Sequence, residues 1–218
     1  MSTSLTDTTL TRTTAPQSDD AASPRLVRDW RPSQRATGTV LTIGGLVYAL
    51  SHMLNLLGST PSLSAPNEVL AKVLFGAGAL LIMAGAGSLI AQFRRSPVGI
   101  LGTQLTWVGM LFILQSAYSV LFIFPLYGWE GLGAIDERAG VVSLLALPTV
   151  FGGPLLVAIA GLRHRVVPVP AAVGIFAASA MFIVMIGVPE LEPPMAIAST
   201  IVYGLSWALT GVRARNAG

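Results

Sequence analysis

The fold of this chain is decided by the stretch Leu46-Val47-Tyr48-Ala49-Leu50-Ser51-His52-Met53-Leu54-Asn55, the second half of its first long apolar segment. On a helix, Tyr48, His52 and Asn55 fall at positions i, i+4 and i+7, so they share one face. Ser51 lies beside them. A polar face of this kind is costly against lipid tails. It is therefore predicted to point at protein or at enclosed water.

The composition of the whole chain indicates that lipid surrounds most of it. Of its 218 residues, 53% are hydrophobic and 11% are charged, and the mean hydropathy is +0.71, whereas a soluble domain carries about 25% charged residues. A net charge of +3 and a pI near 9.8 would suit nucleic acid. We exclude that partner because the charges lie at the ends of apolar runs. The excess of Arg over Lys, with abundant Ala and Gly, is typical of a GC-rich bacterial genome.

Six apolar segments follow one another with short links. They cover residues 38–58, 69–92, 98–124, 141–162, 168–188 and 195–212. Each is close to the ~20 residues that cross ~30 Å of hydrocarbon. Backbone polar groups in lipid must be satisfied within the segment, which leaves helices for runs of this length. The sequence predicts an all-α, polytopic membrane protein, a compact bundle of six transmembrane helices.

The regions outside the spans are polar or basic. Residues 1–24 form a Ser/Thr-rich tail that is predicted to be disordered. Residues 25–37 form a basic juxtamembrane segment, which either rests on anionic headgroups or simply marks the cytoplasmic end of the first span. The transmembrane domain then covers 38–212, and 213–218 is a short basic tail.

Arginine marks one side of the predicted bundle. Eleven of the thirteen basic residues fall before span one, in the second and fourth links, or after span six: Arg12, Arg25, Arg28, Arg31, Arg35, Arg94, Arg95, Arg163, Arg165, Arg213 and Arg215. The opposite side has Lys72 and Arg138 together with six acidic residues. By the positive-inside rule, both termini are predicted to be cytoplasmic in a bacterial inner (plasma) membrane.

Two further spans carry polar faces. Their members are Gln104, Trp107, Gln115 and Tyr118 on span three, and Ser199, Tyr203, Ser206 and Thr210 on span six. Two interpretations remain open. The faces of spans one, three and six converge on a polar cavity that opens outward, or they hydrogen-bond one another and hold the bundle together, each bond contributing about 0.6 kcal/mol.

Span four contains the sequence Pro148-Thr149-Val150-Phe151-Gly152-Gly153-Pro154. The two prolines leave the carbonyls of Leu144 and Val150 without their usual helical donors. We therefore name Pro148, Gly152, Gly153 and Pro154 as helix-break candidates. The break is either a tolerated kink or a discontinuous helix of the kind that builds transporter sites.

Small residues recur every four positions on several spans, which favours close helix packing. They form the run Ala196, Thr200, Gly204 and Ala208 on span six and the pair Gly45 and Ala49 on span one. These ridges serve the bundle itself, or they join a second copy or another membrane protein. The longest outer link, 126–140, is glycine-rich and acidic, and is interpreted as an ordinary loop or as a mobile flap.

Several kinds of chemistry are not expected. The chain has no cysteine, which excludes disulfides and thiolate metal sites. No Asp or Glu lies within a predicted span, so a carboxylate proton relay or sodium site is not expected. A single intramembrane His52 neither ligates a haem from both sides nor holds a metal alone, and no hydrolase or zinc-protease motif occurs. We predict no catalytic residue, no metal and no cofactor.

Three functional hypotheses follow. The first is a non-enzymatic accessory or scaffold subunit that binds a lipid or a partner protein through its helices. The second is a small transporter or facilitator with a polar cavity between spans one, three and six. The third, an intramembrane enzyme with His52 as acid and base, lacks a visible second catalytic group.

Overall fold

The computed structural model describes residues 33–56, 66–138, 140–188 and 192–216, and within these ranges the regular secondary structure is entirely helical, with no strand. The helices are α1 (Gln34–Leu56), α2 (Pro66–Ala86), α3 (Leu89–Gln92), α4 (Pro97–Tyr118), α5 (Phe124–Arg138), α6 (Gly140–Leu147), α7 (Gly153–His164), α8 (Val169–Gly187) and α9 (Glu192–Asn216). Two π-helical turns, Ser119–Ile123 and Pro148–Gly152, join α4 to α5 and α6 to α7. The predicted all-α class is confirmed.

Among the described residues, five helical stretches are long and apolar enough to cross a membrane. They are Gln34–Leu54, Asn67–Gln92, Pro97–Gly128, Leu144–His164 and Met195–Asn216, and a shorter apolar helix covers Val169–Met185. Their apolar composition is compatible with a membrane protein. The predicted tail 1–24, residues 25–32 of the predicted basic segment and the last two residues of the predicted C-terminal tail lie outside the described residues.

Local sequence signals set several helix ends. Ser33 Oγ accepts a hydrogen bond from the N–H of Ala36 at 3.2 Å, one turn into α1, and Ser96 Oγ accepts one from Gly99 N at 3.2 Å before α4. Pro97 occupies the first position of α4, where a missing N–H costs nothing. Helix α7 ends where Arg165 adopts a left-handed conformation with φ of 59°. These caps fix where each helix begins or ends.

Helix α1 packs between α2 and α9, with glycine at each close approach. A Cβ on Gly45 would overlap the backbone of Gly204 and Ala208 in α9. A Cβ on Gly78 of α2 would lie 2.7 Å from the backbone nitrogen of Tyr48. The small residues on α1 and α9 are thus used within the chain, because only glycine lets these helix backbones come so near.

A second tight helix pair is α4 with α7. A Cβ on Gly102 would lie 2.8 Å from the nitrogen of Val157, and one on Gly109 would lie 2.7 Å from the carbonyl oxygen of Thr149. A later residue of α4 therefore faces an earlier residue of the Pro148–His164 stretch, so these helices run antiparallel. The pair α8 and α9 is also antiparallel, since Gly174 lies against Ser206, whereas Phe182, later in α8, lines the same cavity as Ala196, earlier in α9.

These pairings collect seven of the eight arginines in the described ranges at one end of the bundle; the eighth, Arg138, ends α5. The start of α1 contacts the end of α9 at Gly38 and Arg215, and the end of α2 contacts α1 at Gly85 and Leu41. We call this the arginine end. Its members are Arg35, Arg94, Arg95, Arg163, Arg165, Arg213 and Arg215.

The expected loop or flap at 126–140 is instead helical, apart from Ala139, which lies outside the described residues. Helix α5 covers Phe124–Arg138, and α6 begins at Gly140. Gly128 has non-helical backbone angles, φ of 64° and ψ of −163°, so α5 consists of two helical pieces joined at a kink. Glycine adopts such a conformation at little cost. The residues after Gly128 resume the helix, although the glycine content of this link predicted a loop.

Candidate functional site

A cavity of about 390 Å³ lies among the helices in the half of the bundle away from the arginine end. Its wall comes from the end of α1, the start of α2, the end of α4, the end of α6, the second π-helical turn, the end of α8 and the start of α9. The polar lining residues are Tyr48, His52, Lys72, Ser116, Ser199, Thr200 and Tyr203. The aromatic lining residues are Phe75, Phe112, Phe151 and Phe182.

Aromatic rings from three helices pack together on one wall. The ring of Phe75 in α2 lies 4.9 Å from Tyr48 and 4.9 Å from His52, both in α1. Tyr203 of α9 lies 5.8 Å from Tyr48, and Trp207 continues the stack behind it at 6.1 Å. This packing holds His52 in place.

A short hydrogen-bond chain assigns the tautomer of His52. Ser51 Oγ donates to the carbonyl oxygen of Tyr48 at 2.6 Å and lies 2.9 Å from His52 Nδ1. Because the single hydroxyl proton of Ser51 is used at Tyr48, the serine oxygen accepts from His52 Nδ1–H. In the neutral ring, Nε2 is then the acceptor.

Tyr203 ties α9 to the second π-helical turn. Its hydroxyl donates to the carbonyl oxygen of Val150 at 3.3 Å. That carbonyl lacks its usual helical donor because Pro154, four residues on, has no N–H. Tyr203 of α9 thus supplies the hydrogen bond that Pro154 withholds from the carbonyl of Val150.

The four helix-break candidates surround a turn of π-helix, within a stretch that is helical from Gly140 to His164. A Cβ on Gly153 would overlap the backbone nitrogen of Thr106, whereas one on Gly152 would meet nothing within 4 Å. Pro154 is buried and Pro148 is exposed. Thr149 Oγ1, in the same turn, is 2.8 Å from the carbonyl oxygen of Leu145. Such π-helical turns are frequent at functional sites.

The structure brings together part of the predicted polar faces. Tyr48, His52 and Tyr203 line the cavity, and Ser51 is buried directly behind His52. Ser206 is buried outside the cavity, where it contacts α8 and donates to Val202 at 2.7 Å. The side chain of Asn55 is outside what the structure describes.

The polar face of span three points elsewhere. Gln104, Gln115 and Tyr118 are exposed on α4 and do not line the cavity. Trp107 is also on this side, and its Nε1–H donates to the carbonyl oxygen of Met83 in α2 at 2.7 Å. The α4 wall of the cavity is instead made by Phe112, Ile113 and Ser116.

Lys72 is a cavity residue that the sequence did not reveal, and the polar lining residues Ser116 and Thr200 were not predicted either. It was counted with the charged flank of span two, but it lies in the second turn of α2 and its ammonium sits 5.9 Å from the centre of the Phe75 ring. Within the described residues it forms no ion pair. One signal was available: Lys72 is the only lysine in the chain and shares a helix face with Phe75.

The cavity opens at the side of the bundle. Ser116 of α4 and Leu147 at the end of α6 both line the cavity and are both exposed, so the cavity is open between these two helices. Leu147 is 43% exposed. If the spans cross a membrane, this opening faces lipid. No group of three or more His, Cys, Asp or Glu residues able to hold a metal occurs among the described residues.

No protein-family model, curated protein or solved structure matches this chain.

The hydrogen bond between Tyr203 and Val150 gives a direct prediction. We expect Tyr203→Phe to lower the free energy of unfolding by about 0.6 kcal/mol, the average for interhelical hydrogen bonds in a membrane. The measurement is unfolding of the purified protein in mixed micelles by a denaturing detergent. Tyr118→Phe is the matched control, because that side chain is exposed and its ring contact with Phe122 does not use the hydroxyl. Equal effects of the two substitutions would contradict this role for Tyr203.

Proposed function

We propose that this chain is an integral protein of a bacterial inner membrane, with six transmembrane helices and both termini in the cytoplasm, and that it is a non-enzymatic subunit that binds one small amphipathic molecule. The sixth span in this proposal is the shorter apolar helix Val169–Met185. The arrangement of arginines at one end of the bundle supports the orientation. The cavity then lies in the outer half of the membrane.

The observation that carries the proposal is the two-sided lining of the cavity. One side, from α1, α2 and α9, carries Tyr48, His52, Lys72 and Tyr203, and the other, from α4, the π-helical turn and α8, is dominated by Phe112, Phe151 and Phe182. A mostly apolar cavity with a few convergent polar groups is the usual form of a small-molecule site. This division fits a molecule with a polar head and an apolar body.

Binding is favoured over catalysis by the groups that line the cavity. His52 and Lys72 are its ionisable groups besides the two tyrosines, and no carboxylate is among the described lining residues. Acid–base chemistry of the common kinds uses a second group of matched pKa beside the first. The groups present are suited to holding a polar head.

A small transporter or facilitator is the second candidate, favoured by the lateral opening beside the π-helical turn. The packing toward the arginine end argues against a continuous pathway. There α1 meets α9 at Gly38 and Gly211, and α4 meets α7 at Gly102, with backbones too close to admit any side chain. Flux of a bound molecule across sealed vesicles, absent from protein-free vesicles, would favour transport.

The bilayer itself is the first proposed partner, and a second copy of the chain or another membrane protein is the next. The ridge on α9 contributes Gly204 and Ala208 to the contact with α1, so a partner helix would need another surface. Exposed apolar residues such as Leu101 and Leu111 on α4 offer one. Cross-linking in native membranes would detect such a partner.

Filling the cavity tests the proposed function. Ala146 lines the cavity beside the π-helical turn, and Ala146→Phe places a ring in the space that the ligand would occupy. We expect this variant to fold and to lose at least about tenfold in affinity for an amphipathic ligand, because the site no longer has room for it. Ala84→Phe, on an exposed position of α2, is the matched control. Unchanged binding by Ala146→Phe would remove the cavity as the site.

A further inference from the structure

We propose that the molecule in this cavity is a single-chain amphiphile with an anionic head group, carboxylate or phosphate, and that the head group pairs with Lys72. This inference rests on the proposed function and assigns the chemical class of its ligand. The alkyl chain lies along the aromatic side of the cavity, toward the lateral opening between α4 and α6.

Lys72 brings a positive charge to the cavity without an ion-pair partner among the described residues. Its ammonium lines a cavity within the bundle, sits 5.9 Å from the centre of the Phe75 ring and makes no ion pair in the described part of the chain. A cation away from bulk water is unfavourable unless an opposite charge accompanies it. A contact with an aromatic face near the ~6 Å limit compensates only a small part of that cost. Glu68 acts on this charge electrostatically without forming an ion pair, and an anion in the cavity supplies the direct partner.

Glu68 is the acidic residue closest to Lys72 along α2. It lies one helical turn before Lys72, does not line the cavity, and its Oε2 is buried without a hydrogen-bond partner in the described residues. Its charge acts on that of Lys72, but no ion pair joins the two side chains. The Lys72 ammonium is therefore available to a ligand, and Glu68 provides a control that alters charge nearby without touching the cavity.

The hydrogen-bond donors of the cavity also point to an anion. Ser199 and Thr200 donate to the carbonyl oxygen of Ala196, at 3.0 and 2.6 Å, so their protons are used within α9. Tyr203 donates to Val150, and His52 Nδ1–H is used by Ser51. Lys72, Tyr48 and Ser116 retain donors that no described residue accepts from. A head group rich in acceptor oxygens matches these donors.

The apolar side of the cavity fits a single chain. Phe151 and Phe182 stack with ring centres 4.1 Å apart, and Phe112 lies on the same side of the lining. The volume of about 390 Å³ is near the lower limit of small-molecule sites, which span about 300–1,000 Å³. That space suits one alkyl chain with its head group, and the two chains of a phospholipid would not both fit. The opening at Ser116 and Leu147 lets the far end of the chain meet the bilayer.

The experiment is photolabelling of the full chain in nanodiscs of zwitterionic lipid. Four probes share one medium-length alkyl chain with a diazirine and differ in head group: carboxylate, phosphate, alcohol and trimethylammonium. The labelled positions are mapped by mass spectrometry, and specific labelling is the part that an unlabelled amphiphile with the same head group competes away. We expect the two anionic probes to label the cavity helices saturably, at concentrations about tenfold or more below the neutral and cationic probes.

Variants then assign the charge. We expect Lys72→Met to raise the half-saturation concentration of the anionic probes about tenfold or more and to leave that of the alcohol unchanged, and Lys72→Arg to retain binding. Arg94→Met, which removes one positive charge at the arginine end, and Glu68→Gln are expected to leave anionic labelling at least as strong as in the unaltered chain. Melting temperature and gel filtration establish that each variant is folded, and the head-group comparison on the unaltered chain needs no variant.

The possible outcomes test the anionic ligand and the binding cavity separately. Saturable labelling that is equal for all four head groups, or unaffected by Lys72→Met, would overturn the anionic ligand and leave the binding cavity in place; the Lys72 side chain would then reach the headgroup layer instead. Complete competition by an anionic phospholipid added to the nanodisc would overturn the single-chain ligand. Labelling by no probe above the background of protein-exposed lipid would overturn the proposed function itself.

Discussion

Gly45→Ala is expected to lower the free energy of unfolding by about 1–3 kcal/mol, the usual cost of overpacking a close contact. The new methyl group would overlap the backbone of Gly204 and Ala208. The atoms that it would meet, Gly204 O and Ala208 N, belong to the backbone. The substitution can therefore be accommodated only if α1 and α9 move apart. Because α1 also packs on α2, that displacement reaches the helices on both sides.

The matched control is Gly87→Ala. A Cβ on Gly87 would lie 3.6 Å from its nearest neighbour, the carbonyl oxygen of Ala84, which is an ordinary contact. We expect this variant to stay within about 0.5 kcal/mol of the unaltered chain. Both are measured by denaturing-detergent titration in mixed micelles, followed by helical circular dichroism. Equal stability of the two variants would show that α1 and α9 do not pack as described.

Gly153→Ala is expected to have a comparable effect, also about 1–3 kcal/mol, at the contact between α7 and α4. A Cβ there would overlap the nitrogen of Thr106 and lie 2.8 Å from the carbonyl carbon of Leu105. Since Gly153 follows the π-helical turn directly, displacement of α7 also shifts the carbonyl of Val150 away from Tyr203. We expect ligand binding to weaken together with stability.

The neighbouring Gly152 provides a control within the same motif. Nothing lies within 4 Å of a Cβ built there, and its backbone is helical, with φ of −63°. We expect Gly152→Ala to leave stability unchanged or to raise it by up to about 1 kcal/mol, because alanine loses less chain entropy than glycine. If Gly152→Ala proved less stable than Gly153→Ala, the described packing of the second π-helical turn would be contradicted.

The sequence predicted the helical class and the positions of the apolar helices well, because lipid-compatible runs of this length leave only one secondary structure. The helical residues beyond the ends of the apolar segments were harder to predict. Helix α5 covers a glycine-rich, acidic link, and its path depends on the left-handed conformation of Gly128. Hydropathy does not report on that conformation.

The candidate site was predictable only in part. The spacing of Tyr48 and His52 predicted one polar face, and that face, with Tyr203, lines the cavity. The rotation of α4 was not predictable from spacing: Gln115 and its neighbours share a face, but that face is exposed. Lys72 was assigned to a flank because charge near a helix end usually meets water. Only the packing of α2 against α1 places it in the cavity.

The most direct measurement concerns the membrane orientation on which the outer position of the cavity depends. The chain has no cysteine, so single cysteines can be introduced at exposed positions of opposite ends: Glu130→Cys in α5 and Asn216→Cys at the end of α9. A membrane-impermeant maleimide is applied to intact cells and, separately, to permeabilised cells. We expect Glu130→Cys to be labelled in intact cells and Asn216→Cys only after permeabilisation. Labelling of Asn216→Cys in intact cells, with protection of Glu130→Cys, would contradict the proposed orientation and place the cavity in the inner half of the membrane.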